Sequence, residues 1–177
     1  MVAGEARGLR LAVPPGDGTR PTSDRVREAV FNALDSLDAL EDARVLDAYA
    51  GSGALGIEAL SRGAARATFA ETDRAARDVV SANLERTGFG PRAEVVGADG
   101  AGIAARGPWD LVLLDPPYAF DEWPALLAAV AEGLAPGGVA VVESDREVEL
   151  GPDLAGIRVR RYGGTVVTFA TLTGARS

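Results

Sequence analysis

Between Arg44 and Ser144 short apolar runs alternate with segments whose apolar residues recur at helical spacing. "ARVLDAY", "ATFAE", "AEVVGAD", "WDLVLLD" and "GGVAVVES" read as strands. "GALGIEALSRG", "DRAARDVVSANLERTG" and "DEWPALLAAVAEGL" read as helices, and "GAGIAARG" as a short helix or loop. A strand that hands the chain to a helix before the next strand can bury both only in a parallel sheet with helices on its faces. The tail "IRVRRYGGTVVTFATL" reads instead as two strands joined at Gly163-Gly164, an antiparallel hairpin. The expected fold is therefore α/β: a mostly parallel seven-stranded sheet, a C-terminal antiparallel hairpin, and helices on both faces.

Local punctuation agrees with this reading. Gly63 closes one helix, Asp73 opens the next and Gly88 follows its end. Upstream, "VPPGDGTRPTSD" is a turn-rich loop. Thr22 or Ser23 can cap a helix through "DRVREAVFNALDSL", where Val26, Val30, Leu34 and Leu37 share helical spacing. At 177 residues the expectation is one domain over residues 1–177. No apolar run approaches a membrane span, and the N-terminus lacks a signal-peptide core, which predicts a cytoplasmic protein.

Composition narrows the chemistry. The chain has no Cys and no His, and all 18 basic residues are Arg. Thiolate nucleophiles, imidazole bases, Schiff-base lysines and the Lys-containing phosphate loop are excluded, and no metal is expected. Net charge is −8, which argues against broad, nonspecific nucleic-acid binding. Residues 1–30 carry five arginines (7, 10, 20, 25 and 27) against four acids, making them the least acidic part of the chain.

In such sheets ligands lie beyond the carboxyl ends of the strands. There Gly51, Gly53 and Gly56 spell G-x-G-x-x-G, with Glu71 twenty residues downstream, as in a dinucleotide site. Asp47, four residues before Gly51, alters that reading. A nicotinamide site runs from an apolar strand straight into its glycines, leaving room for pyrophosphate. An acid there suits the cationic amino-acid end of S-adenosylmethionine; the other use of Asp47 is to cap a helix or turn. Glu71 would hold ribose hydroxyls under either cofactor, and Asp99 is placed to accept an adenine amino group or to make a turn.

The next strand end carries Asp115-Pro116-Pro117-Tyr118. Two prolines fix φ and remove two N–H donors, so carbonyls are presented without competing donors. The Asp115 carboxylate and Pro116 carbonyl can each accept one hydrogen of an amino group on a conjugated ring, while Tyr118 stacks on that ring. Such an amino nitrogen is a weak nucleophile because its lone pair is delocalised. Two acceptors favour the localised form and gain strength as positive charge develops. No prior deprotonation is needed, so His and Cys are dispensable.

Together "RPTSDRVREAVFNAL", "VLDAYAGSGALGIEALSRGA", "FAETD", "DLVLLDPPY" and "VVES" resemble, in order and spacing, the RsmD family of bacterial small-subunit ribosomal RNA guanine-N2 methyltransferases. The resemblance implies a Rossmann-like class I S-adenosylmethionine-dependent methyltransferase fold, with residues 1–40 as a loop and helix extension over the active site. It also implies S-adenosylhomocysteine as product and methylation of one guanine N2 in 16S rRNA. The substrate it implies is an assembled or partly assembled small ribosomal subunit; a monomer with no membrane partner is expected. By position, Asp47, Gly51, Gly53, Glu71 and Asp99 would bind the cofactor; Asp115, Pro116 and Tyr118 would be catalytic. Arg7, Arg10, Arg20, Thr22, Arg25 and Pro117 would face RNA, with Arg27 and ribosomal proteins adding affinity. The chain departs from the family at "MVAGEA", where members usually carry a few more residues, and at Gly8-Leu9, where they carry Gly-Arg. The alternatives are an amino-group methyltransferase acting on DNA adenine or cytosine or on protein glutamine, and a noncatalytic ribosome-binding relative.

Overall fold

The structure is a computed structural model that describes residues 1–14, 23–117 and 119–174. Among these, seven strands form one sheet: β1 (Arg44–Asp47), β2 (Arg66–Ala70), β3 (Ala93–Val96), β4 (Trp109–Leu114), β5 (Leu134–Ser144), β6 (Leu154–Tyr162) and β7 (Thr165–Leu172). Their order is β3-β2-β1-β4-β5-β7-β6. The first five run parallel, and β7 lies antiparallel to both β5 and β6. The expected sheet and hairpin are both present. The chain winds outward from β1 to β3, then returns to lay β4 on the other side of β1. That reversal opens a crevice between the loops after β1 and β4, which is where an open α/β sheet holds its ligand.

Successive strand residues face opposite sides, and both sides are apolar. Val45, Phe69, Leu111 and Leu113 face α1 (Ser23–Asp35), α2 (Ala54–Ser61) and α3 (Arg74–Thr87), meeting Phe31, Leu34, Ile57, Leu60 and Val80. Leu46, Val112, Leu114 and Val142 face α4 (Gly100–Ala104) and α5 (Trp123–Gly133), meeting Ile103, Leu126 and Val130. Each such side chain, fully buried, contributes about 1.5–3 kcal/mol of transfer free energy.

Helix α3 has the ends its sequence predicts. Asp73 accepts the Ala76 N–H at 3.0 Å, and Gly88 ends the helix with φ 76°. The hairpin turns where expected, with Gly163 at φ 60° and Tyr162 paired to Thr165. Two boundaries differ. α1 stops at Asp35 rather than Leu37, because the Leu37 N–H turns back to the Leu34 carbonyl and Asp38 adopts φ 52°. β5 begins at Leu134, ahead of Gly137-Gly138, and a register shift against β4 absorbs the glycines.

The segment Met1–Pro14 crosses α2 and α3. Buried Glu58 of α2 accepts the Val2 and Ala3 N–H groups at 2.9 and 3.0 Å. Ser61 accepts from Ala6 N–H at 2.9 Å and donates to the Ala3 carbonyl at 2.6 Å. This arm therefore starts at the foot of α2 and climbs toward the glycine loop.

Candidate active site

The parallel register sets three acids on one rim. Asp47 pairs with Phe69 of β2 and Leu113 of β4, so Glu71 and Asp115 each follow one pleat repeat later on the neighbouring strands. Asp47 is buried: its Oδ2 accepts the Gly56 N–H in the first turn of α2 at 2.8 Å, while its Oδ1 is buried without a partner. The Oδ2 bond is the helix-capping use of Asp47, and Oδ1 is left to meet a donor or cation. Burial pushes its carboxyl up to about 7; the Gly56 hydrogen bond opposes this, and the charges of Asp115 and Glu71 add to it. A buried, unpaired carboxylate oxygen is costly unless a donor or cation meets it. The site thus fits the cationic amino-acid end of S-adenosylmethionine and would repel a pyrophosphate.

The glycine loop is held from two sides. Glu71 Oε2 accepts the Gly51 N–H at 3.0 Å, and its Oε1 accepts the Asp73 N–H at 2.9 Å. From the other side Asn83 of α3 donates to the Ser52 carbonyl at 2.9 Å. Gly51 and Gly53 adopt φ 52° and 77°, conformations that L side chains rarely take. Gly56 is needed for space instead, since a Cβ there would come within 2.4 Å of the Phe69 ring.

Across the crevice, Asp115 is half-buried, Pro116 buried and Pro117 exposed. The Pro117 carbonyl accepts the Phe120 N–H at 2.9 Å, closing a turn after the strand. Phe120 meets Tyr49 edge-on at 5.6 Å and Trp123 at 5.0 Å, so an aromatic row links the loops after β1 and β4. Tyr49 also packs where a Gly100 Cβ would stand, 2.9 Å from its ring, and burial raises its phenol to about 12. Asp99 is exposed, and its Oδ1 caps α4 by accepting the Gly102 N–H at 2.8 Å. The surface hollows bounded by α5 and Pro152-Asp153 lie elsewhere, and none of the rim acids lines them.

Among the arginines expected to meet RNA, Arg7, Arg10 and Arg25 are exposed. Arg27 is not: it is buried, bonded to Asp24 at 2.6 Å and 3.9 Å from Glu58, so its charge serves the α1–α2 contact. Arg20, Thr22 and Tyr118 lie outside the described residues. Sequence reasoning passed over Glu58, Ser61, Asn83 and Tyr49. The first three resemble ordinary polar helix residues; Tyr49 alone carried a signal, as an aromatic between Asp47 and Gly51. Among the described residues no group of His, Cys, Asp and Glu could hold a metal, and no helix is long and apolar enough to cross a membrane.

A doubly wound sheet with this strand order, reversed last strand and acid-rimmed glycine loop is the class I, S-adenosylmethionine-dependent methyltransferase fold. A solved structure described as a putative methyltransferase, yhhF, from Escherichia coli superposes with TM-score 0.85 at 36% identity, covering 97% of this chain and 96% of that one. The chain belongs to the RsmD family, whose model, described as "Conserved hypothetical protein 95", matches residues 1–171. It is 46% identical over 120 residues to the ribosomal RNA small subunit methyltransferase D of E. coli K12, covering 67% of this chain. That match spans 59% of the relative's own length. It is 37% identical to the putative rRNA methyltransferase YlbH of Bacillus subtilis, over 96% of both chains.

Proposed function

We propose that the protein methylates the exocyclic N2 amino group of a guanine in small-subunit ribosomal RNA, using S-adenosylmethionine, on an assembled or partly assembled subunit. The observation that carries this reading is the rim of Asp47, Glu71 and Asp115, with one buried Asp47 oxygen left for a cation. Relatives named as small-subunit rRNA methyltransferases support the substrate class.

Bound S-adenosylmethionine supplies an electrophilic methyl group on a sulfonium. Asp47 receives its ammonium end, Glu71 its ribose, and Asp99 its adenine amino group. The Gly51 and Gly53 backbone lets the cofactor approach closely. Opposite, Asp115 and the Pro116 carbonyl orient the guanine amino group and strengthen their hold as its nitrogen becomes cationic. Tyr118 stacks on the base, with Pro117 beside it. The methylated nitrogen is acidic and gives its proton to solvent water afterwards, so no imidazole is required. Arg7, Arg10 and Arg25, with Arg20 and Thr22 of the same N-terminal signature, serve to meet phosphates or bases of a loop nucleotide turned out of its stack.

The test is transfer of tritium from labelled S-adenosylmethionine to undermethylated small subunits, naked rRNA and DNA in parallel, followed by nucleoside analysis. Methylguanine from subunits is the expected product. Label only in DNA, or as methyladenine, would overturn the assignment.

A further inference from the structure

We propose that Asn83 is a positioning residue through which the N-terminal arm sets the shape of the cofactor's glycine loop. The residue is 1% exposed, and its side chain joins three segments distant in sequence. Oδ1 accepts the Ala12 N–H at 2.8 Å; Nδ2 donates to the Ala12 carbonyl at 2.9 Å and to the Ser52 carbonyl at 2.9 Å. Both backbone groups of Ala12 are thus satisfied by one amide, as a neighbouring strand would satisfy them.

The Ser52 end explains why this matters. Ser52 lies between Gly51 and Gly53, whose left-handed φ values come from residues with the widest conformational freedom. A loop of that kind holds one shape only if its peptide groups are held. The Ser52–Gly53 peptide is fixed at its carbonyl by Asn83 and at its N–H by the Ala50 carbonyl. The preceding Gly51 N–H is fixed by Glu71. Asn83 is the one link in this set that also reaches the arm, whose foot is anchored at Glu58 and Ser61.

Amide chemistry is required at this position. Asp would keep the acceptor for Ala12 N–H but lose both donations, and Leu would match the size and make no hydrogen bond. Preorganisation of the loop lowers the cost of binding, so its loss appears in cofactor affinity. The same bonds run in the other direction: a bound cofactor that stills the Ser52 peptide also stills Ala12.

The inference rests on the proposed cofactor, and the experiment separates the two. Calorimetry measures S-adenosylmethionine and S-adenosylhomocysteine binding to the full-length wild type and to Asn83→Leu, Asn83→Asp and Leu84→Ala. Leu84 is its buried neighbour on α3, so its truncation lowers stability without touching the loop hydrogen bonds. Hydrogen exchange at Leu11–Val13 is followed with and without S-adenosylhomocysteine. The expected result is a Kd raised about tenfold or more in both Asn83 variants and unchanged in Leu84→Ala. Cofactor should slow exchange at Ala12 in the wild type and not in Asn83→Asp. Wild-type protein that binds no cofactor overturns the proposed function and this inference with it. Normal wild-type binding with equal Kd in the Asn83 variants, or with no cofactor-linked protection at Ala12, overturns the inference alone.

Discussion

Asp47 and Gly56 are joined by a 2.8 Å hydrogen bond that ties the end of β1 to the first turn of α2 and leaves the other carboxylate oxygen buried and unpartnered. With its carboxyl raised to about 7, the free protein holds a proton on Asp47 in mildly acidic solution. A cationic ligand needs the carboxylate. Affinity for S-adenosylmethionine should therefore rise with pH toward about 7, until the ligand's own α-amino group, ordinarily at about 7.7–8.0, begins to lose its proton. Asp47→Asn should remove that dependence and weaken binding at pH 8, as read by calorimetry across pH 5.5 to 8.

The same raised value has a stability consequence of fixed sign. Between the ordinary 3.8 and about 7, the folded chain keeps a proton that the unfolded chain has released. This group's contribution is present at low pH and is lost as pH rises toward and through 7. Urea unfolding of the free protein at pH 5.5 and 8 should show a drop that Asp47→Asn reduces; an identical drop in the variant would remove Asp47 as its source.

Asp115→Ala should leave cofactor binding nearly intact and lower methyl transfer by about a hundredfold or more, the scale of losing one transition-state acceptor. Single-turnover assays on small subunits, alongside calorimetry, separate the two effects. Unchanged turnover would exclude Asp115 from the chemistry.

Glu58 is fully buried and receives Val2 N–H, Ala3 N–H and Arg62 Nε, with Arg27 beside it. Glu58→Ala leaves the arm amides and two nearly buried guanidinium groups short of a partner. A loss of about 3–5 kcal/mol in unfolding free energy is expected. Because the arm is anchored here, protease cleavage within residues 1–12 should accelerate as well.

Gly56→Ala places a methyl group 2.4 Å from the Phe69 ring, in a core with no room to yield. Overpacking should cost about 1–3 kcal/mol. Phe69→Leu in the same chain should recover part of that loss, because the smaller side chain vacates the contact. Additive losses in the double variant would place the strain elsewhere.

Much of the fold was legible along the chain because its causes are local. Alternating apolar runs and helical repeats specify parallel strands with helices between them. Asp73 and Gly88 bound a helix by their own backbone chemistry, and Gly163-Gly164 turns a hairpin. The glycine loop and Asp115-Pro116-Pro117 were legible as motifs for the same reason, since each is a short stretch marked by its own residues, although Glu71 and Asn83 hold the loop's shape.

Glu58 and Asn83 were not legible, because their partners lie far away in sequence: 55 and 56 residues from Glu58 to the arm, 71 from Asn83 to Ala12. Arg27 was not, because its burial depends on α1 packing against Glu58 of α2. An acid in the middle of α2, or an amide on α3, reads as a solvated helix residue until packing decides which way it faces. The arm amides, with no strand beside them, need acceptors once covered, and only the folded chain supplies these two. Sequence by itself determined the sheet, its turns and the residues at its carboxyl edge. Tertiary structure alone decided that Arg27 turns inward, that Asn83 joins the arm to the glycine loop, and that Asp47 keeps one oxygen buried without a partner. Local chemistry sets backbone conformation, whereas burial and long-range pairing exist only after the chain has closed on itself.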